Sequence, residues 1–122
     1  LRRLEPPPSP YREPDGSLSA AAERGQRLFA SERAGCTECH TDSRFTSDGL
    51  YDVGLARRSD RYEGFSPPSL LGLHRKTRFL HTGKAKSLDE VLTKYHAPDQ
   101  VLGRAELAAA EVADLVAYLR SL

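Results

Sequence analysis

An all-α fold is predicted by three observations. Ala108, Val112, Leu115, Leu119 and Leu122 recur at spacings of four, three, four and three, one apolar stripe of helical period. Ser19 and Ser87 each stand before a helix-forming run, where a hydroxyl can cap the first turn. No segment alternates apolar and polar residues as a half-buried strand does, and no internal repeat is present. At 122 residues the chain has the size of one domain with an appendage.

Residues 1–16 hold Pro6, Pro7, Pro8, Pro10 and Pro14 and few large apolar groups. Such a segment favours extended, polyproline-like conformations and cannot bury enough surface to fold alone. It reads as a linker or tether, or as a strap along the domain surface, which leaves residues 17–122 as the folded unit. Ser17 and Ser19 are the N-cap candidates for a first helix over Ala20 to Ala30. Gly25 lies inside that helix, where glycine costs about 1 kcal/mol relative to alanine. A second helix packed over its bare backbone would account for it. Phe29 lies one turn on, along the same face. The C-terminal stripe, widened by Val116 and Tyr118, needs a partner, and this first helix is the obvious one.

Cys36-Thr37-Glu38-Cys39-His40 contains the only two cysteines, with a histidine directly after the second. That pattern reads as a c-type haem attachment site. Two thiols three residues apart can add to the two vinyl groups of one porphyrin, and the following imidazole can take the iron as proximal ligand. Three other readings fit less well. A disulfide here closes too small a loop to stabilise much. A zinc site would need two histidines at finger-like spacing, and His74, His81 and His96 are not so placed. A thioredoxin-type pair needs a βαβ setting that the sequence lacks. A buried porphyrin also supplies apolar surface to a small domain that is only 39% hydrophobic.

Residues 41–68 show no helical or strand period, and a loop of that length in a compact domain needs something to order it. A haem edge would serve. Pro67-Pro68-Ser69-Leu70-Leu71-Gly72-Leu73 then reads as an extended turn into a short irregular segment. Ser87-Leu88-Asp89-Glu90 is a capping box. It opens a helix expected to run to Tyr95 or His96 and to stop before Pro98.

The net charge is +1 with acids and bases interleaved, so neither nucleic acid nor a membrane surface is indicated as a partner. No apolar run reaches the roughly 20 residues of a spanning helix. The chain begins at Leu1 and contains no methionine, which reads as a processed or excised piece. Thioether formation needs reduced thiols and free haem, which bacteria supply outside the cytoplasm. A periplasmic or otherwise extracytoplasmic location is therefore expected.

From Arg24 to Leu122 the sequence resembles the C-terminal haem domain of the di-haem cytochrome c peroxidase family, which includes the methylamine dehydrogenase maturation enzyme. The resemblance rests on ordered motifs. Gly25-Gln26-Arg27-Leu28-Phe29 precedes the haem motif, and Phe45-Thr46 and Leu50-Tyr51-Asp52-Val53-Gly54 follow it. Pro68-Ser69-Leu70, Phe79-Leu80-His81-Thr82-Gly83, Leu88-Asp89-Glu90-Val91 and Leu115-Val116-Ala117-Tyr118-Leu119 complete the order. It implies a class I cytochrome c-like fold, with N- and C-terminal helices packed together through Gly25 and Phe29 and long loops wrapping one covalent haem c. Two departures stand out. Leu71-Gly72 occupy the place of the family's Arg-Asn, removing an arginine that can meet a haem propionate. Members carry two haems and perform catalysis at the other one, whereas this chain holds one attachment motif.

Without methionine a His/Met pair is excluded by composition. Tyr95, His81, His96 and an open, water-bearing site are the candidates for the sixth position, with His74 a weaker one. The resemblance favours Tyr95, because the residue seven past the leucine matched by Leu88 is the ligand in the family. His96 is about 100° further round an α-helix, so it and Tyr95 cannot both face the iron. The reading is a mono-haem electron-transfer domain with Cys36, Cys39 and His40 on the haem, serving a redox partner protein or neighbouring redox domain. Two alternatives remain: a relay domain of a di-haem peroxidase-like oxidoreductase, and a haem sensor with an open iron face.

Overall fold

The computed structural model describes residues 7–62 and 64–122, and among them the regular structure is helical. Helix α1 spans Ala20–Phe29. Ser19 caps it by accepting a hydrogen bond from the Ala22 N–H at 3.2 Å. The last helix, α4, spans Ala109–Ser121. Ala108 is its N-cap and is exposed, so the buried stripe begins at Val112 and runs through Leu115, Val116, Tyr118 and Leu119. Glu111 reaches back to accept the Ala108 N–H at 2.8 Å, satisfying one orphan donor of the first turn.

α1 and α4 cross at Gly25. A Cβ built there would lie 2.0 Å from the Asp114 carbonyl oxygen and 2.8 Å from the Tyr118 Cβ. The helices approach as closely as backbones can, which is why glycine is tolerated in mid-helix. Arg24 straddles the crossing and donates to both carboxylate oxygens of Asp114, at 2.8 and 2.9 Å. Its guanidinium is more than half exposed, so solvent screens this pair and it contributes little. The apolar surface beneath does more. Phe29 meets Tyr118 edge-on at 5.5 Å, and Leu115 is wholly buried in the same cluster.

Two further helices lie between α1 and α4. Leu88–Glu90 forms α2, capped as its sequence requires by Ser87, whose hydroxyl accepts the Glu90 N–H at 3.1 Å. It continues without a break into a π-helical turn over Val91–Tyr95. Pro98 ends nothing beyond that point; it opens a short helix α3, Pro98–Leu102, in the first-turn position where a missing N–H costs nothing.

The long loop after residue 40 is held by isolated pairings instead of by strands. Tyr51 and Phe65 exchange both backbone hydrogen bonds, at 3.0 and 2.9 Å, and Phe79 and Ala85 do the same at 2.9 and 3.2 Å. Thr46 donates to the Pro67 carbonyl and Ser69 to that of Arg44, tying the loop's two ends together. Residues 9–12 lie against the end of α4, where Ser9 donates to the Arg120 carbonyl and Arg12 Nε to that of Ser121 at 2.9 Å. Residues 1–6 of the proline-rich stretch lie outside the described residues.

Gly25→Ala tests the crossing, because alanine gains about 1 kcal/mol in helix propensity yet has no room. Overfilling a rigid backbone contact costs about 1–3 kcal/mol, so a net loss in chemical denaturation is expected. Unchanged or increased stability would place the crossing elsewhere.

Candidate functional site

Gly35 starts the site. Its φ of 65° is left-handed, and a Cβ there would also meet the Leu102 side chain at 2.5 Å. This turn launches a single 3-10 turn, Cys36–Glu38, in which the Cys39 and His40 N–H groups both bond to the Cys36 carbonyl. The turn brings Cys36, Cys39 and His40 to the wall of one cavity of about 440 Å³. That volume is within the roughly 300–1,000 Å³ of cofactor sites. Its lining is mostly apolar and comes from every part of the fold, including Phe29, Leu55, Leu73, Leu92 and Leu115.

Both thiols are free and partly buried. Burial pushes the Cys36 thiol up to about 11, and burial followed by the Glu38 charge also raises that of Cys39. A redox-active or zinc-binding pair needs thiolates, which electropositive surroundings provide and this pocket does not. Among the described residues no group of three or more His, Cys, Asp or Glu side chains is placed to hold a metal ion by itself. The disulfide, zinc and thioredoxin readings therefore have no support in the site.

His40 is held by its Nδ1, 2.7 Å from the Phe45 carbonyl oxygen. A carbonyl can only accept, so Nδ1 carries the proton and Nε2 keeps its lone pair for a metal. Burial lowers the His40 pKa, which keeps that lone pair free at neutral pH. Phe45 itself sits at φ 56°, a strained conformation for an aromatic residue. Its ring is gripped edge-on by Phe29 at 5.8 Å and by Tyr118 at 6.4 Å. The α1–α4 core thus fixes the carbonyl that fixes the imidazole.

The other histidines differ. His81 lines the cavity, but its Nε2 lies 2.8 Å from Asp60 and its ring stacks on Phe65 at 4.6 Å. His96 also lines the cavity, and its buried Nδ1 has no hydrogen-bond partner. His74 has a buried, unpartnered Nδ1 too, but it lies away from the cavity lining and beside Tyr11. Tyr95, which α-helical spacing turns toward the cavity, is not part of its lining. Its ring instead lies near the Lys84 and Lys94 ammonium groups, at 4.9 and 5.1 Å from the centroid. The π turn preceding it is the physical reason, since the extra residue in that turn rotates position 95 away.

Sequence reading missed Phe45 as the orienting acceptor, because a backbone carbonyl leaves no mark on residue type. It also missed Lys76 and Arg78, two cations in the mostly apolar lining. They can meet the carboxylates of an amphipathic ligand.

An apolar cavity with two thiols and a tautomer-fixed histidine fits a covalently held haem, and comparison with known proteins agrees. The profile of the family described as cytochrome c matches residues 22–122. The chain belongs to the cytochrome c family. It is a domain that binds haem c covalently, with Cys36 and Cys39 at the spacing that attachment requires. It is 31% identical, over 88% of its length, to the methylamine utilization protein MauG of Methylorubrum extorquens, and covers 36% of that protein. It is 29% identical over its full length to the hydrazine synthase subunit gamma of Kuenenia stuttgartiensis, covering 46% of that subunit. A solved structure of Kuenenia stuttgartiensis hydrazine synthase superposes with a TM-score of 0.84 at 26% identity, over 99% of this chain and 52% of that one. The chain therefore spans less than half the length of these curated relatives. The resemblance to di-haem peroxidase-like proteins is thus one of domain and fold.

Attachment is tested by haem extraction. Acid acetone should leave the colour on the parent protein and on Cys36→Ser or Cys39→Ser, each with one thioether and a red-shifted alkaline pyridine spectrum. The double variant should lose its haem to the solvent; colour retained there would mean another residue anchors it.

Proposed function

We propose that this cytochrome c domain is an electron-transfer module in which Cys36 and Cys39 anchor the ring and His40 is the proximal ligand. The observation that carries this reading is the 2.7 Å contact between His40 Nδ1 and the Phe45 carbonyl at the cavity wall. When bound, haem supplies a one-electron Fe(III)/Fe(II) couple. The chain's residues do the rest. The Phe45 carbonyl holds the His40 proton on Nδ1, which would leave Nε2 available to the iron without a tautomer change on electron gain or loss. Leu55, Leu73 and Leu115 in the cavity lining would exclude water from a bound haem, and Lys76 and Arg78 could offset the charge of its carboxylates.

The partner in this reading is a redox protein or a neighbouring redox domain, and the location extracytoplasmic, as thioether chemistry requires. No helix among the described residues is long and apolar enough to cross a membrane. A second reading, a relay domain within a larger di-haem oxidoreductase, is favoured by one observation: the chain spans only 36–46% of its curated relatives.

Stoichiometric reduction and reoxidation test the proposal. The purified holoprotein should take up and release one electron per haem reversibly, with no steady consumption of hydrogen peroxide. Sustained peroxide turnover by this chain alone would contradict the carrier reading.

A further inference from the structure

Resting on the haem-domain reading, we propose that His96, turned inward by the π-helical turn Val91–Tyr95, is the second axial ligand, giving a bis-histidine iron with His40.

Leu88, Val91 and Leu92 all line the cavity, so they define the inward face of this helix. In an α-helix the next inward residue is four past Val91 or three past Leu92, which is Tyr95. The chain does not keep that register. The His96 N–H bonds to the Val91 carbonyl at 2.8 Å, a five-residue closure. One residue is thereby added to the turn, and such wide turns cluster at functional sites. The inward position passes from Tyr95 to His96. Tyr95 moves out to the Lys84 and Lys94 ammonium groups, and His96 takes its place in the cavity lining.

His96 has no other employment. Its Nδ1 is buried without a hydrogen-bond partner among the described residues, so no other group of the fold claims that nitrogen. His81 is committed to Asp60 through Nε2. His96 is also held on both sides, by the π turn before it and by the buried Ala97-Pro98 step that opens α3.

Two imidazoles on one iron give a low-spin ferric centre with both faces closed. Electron spin resonance and absorption of the ferric holoprotein, with carbon monoxide binding to the ferrous form, provide the test. The parent should be low-spin and should bind carbon monoxide only as fast as His96 dissociates. His96→Ala should lose the low-spin signal, bind carbon monoxide without that lag, and regain the low-spin signal on adding imidazole. Tyr95→Phe and His81→Ala should keep the parent spectra. If His96→Ala does not retain haem, His96→Met keeps a ligand at the site and should show the weak far-red absorption of methionine bound to ferric haem. A low-spin His96→Ala protein, a His96→Met protein with the parent's spectrum, or a Tyr95→Phe protein that turns high-spin would overturn the assignment. Failure to attach haem in the parent would instead remove the haem reading on which it rests.

Discussion

Because Gly25 has no side chain, α1 and α4 close until the Asp114 carbonyl oxygen lies 2.0 Å from where any Cβ would be, and the site is built outward from that approach. Closing the helices brings Phe29 against Tyr118, and the two rings together clamp Phe45. Phe45 holds a left-handed backbone that its side chain disfavours, and the clamp is what stabilises it. Its carbonyl then fixes the His40 tautomer. A residue that contributes no atoms to the cavity thereby governs the orientation of the imidazole in it. Packing and chemistry are one network here.

The cavity explains a composition that is otherwise thin for a stable domain. With 39% hydrophobic residues, the chain leaves about 440 Å³ of apolar space at the centre of its loops. Most of the loop over residues 41–68 has no regular hydrogen bonding of its own and is pinned at a few points, such as the Tyr51–Phe65 pairing. A ring held in the cavity would meet these segments at once and supply the packing that a longer chain draws from its own side chains. The raised thiol pKa values suit the same role. Protonated thiols in an apolar wall are poor metal ligands, yet they are well placed for bonding to vinyl groups.

The helical elements were legible because their signals are local. The Ser87 capping box, the α4 stripe and the mid-helix Gly25 each bear on residue type within one or two turns, and each stands where the sequence places it, except that Ala108 caps α4 instead of joining its stripe. The Cys36–His40 motif was legible for the same reason. What remained hidden depends on backbone conformation. Nothing in Val91–Tyr95 announces a π turn, and counting at 3.6 residues per turn points to Tyr95. A shift of one residue exchanges a phenol for an imidazole in the cavity, and only the hydrogen-bond register reveals it. The helix opened by Ser87 does stop ahead of Pro98, at Tyr95, and the same proline also starts α3, a second role that its residue type allows.

The most direct test of the central claim, that this cavity holds one haem bonded to Cys36 and Cys39, is the intact mass of the denatured protein. The chain would be produced in cells that export it and carry haem-attachment machinery. The expected mass is that of the polypeptide plus one haem, returning to that of the bare chain when both cysteines are replaced by serine. A parent protein made under those conditions with the mass of its bare polypeptide would contradict it.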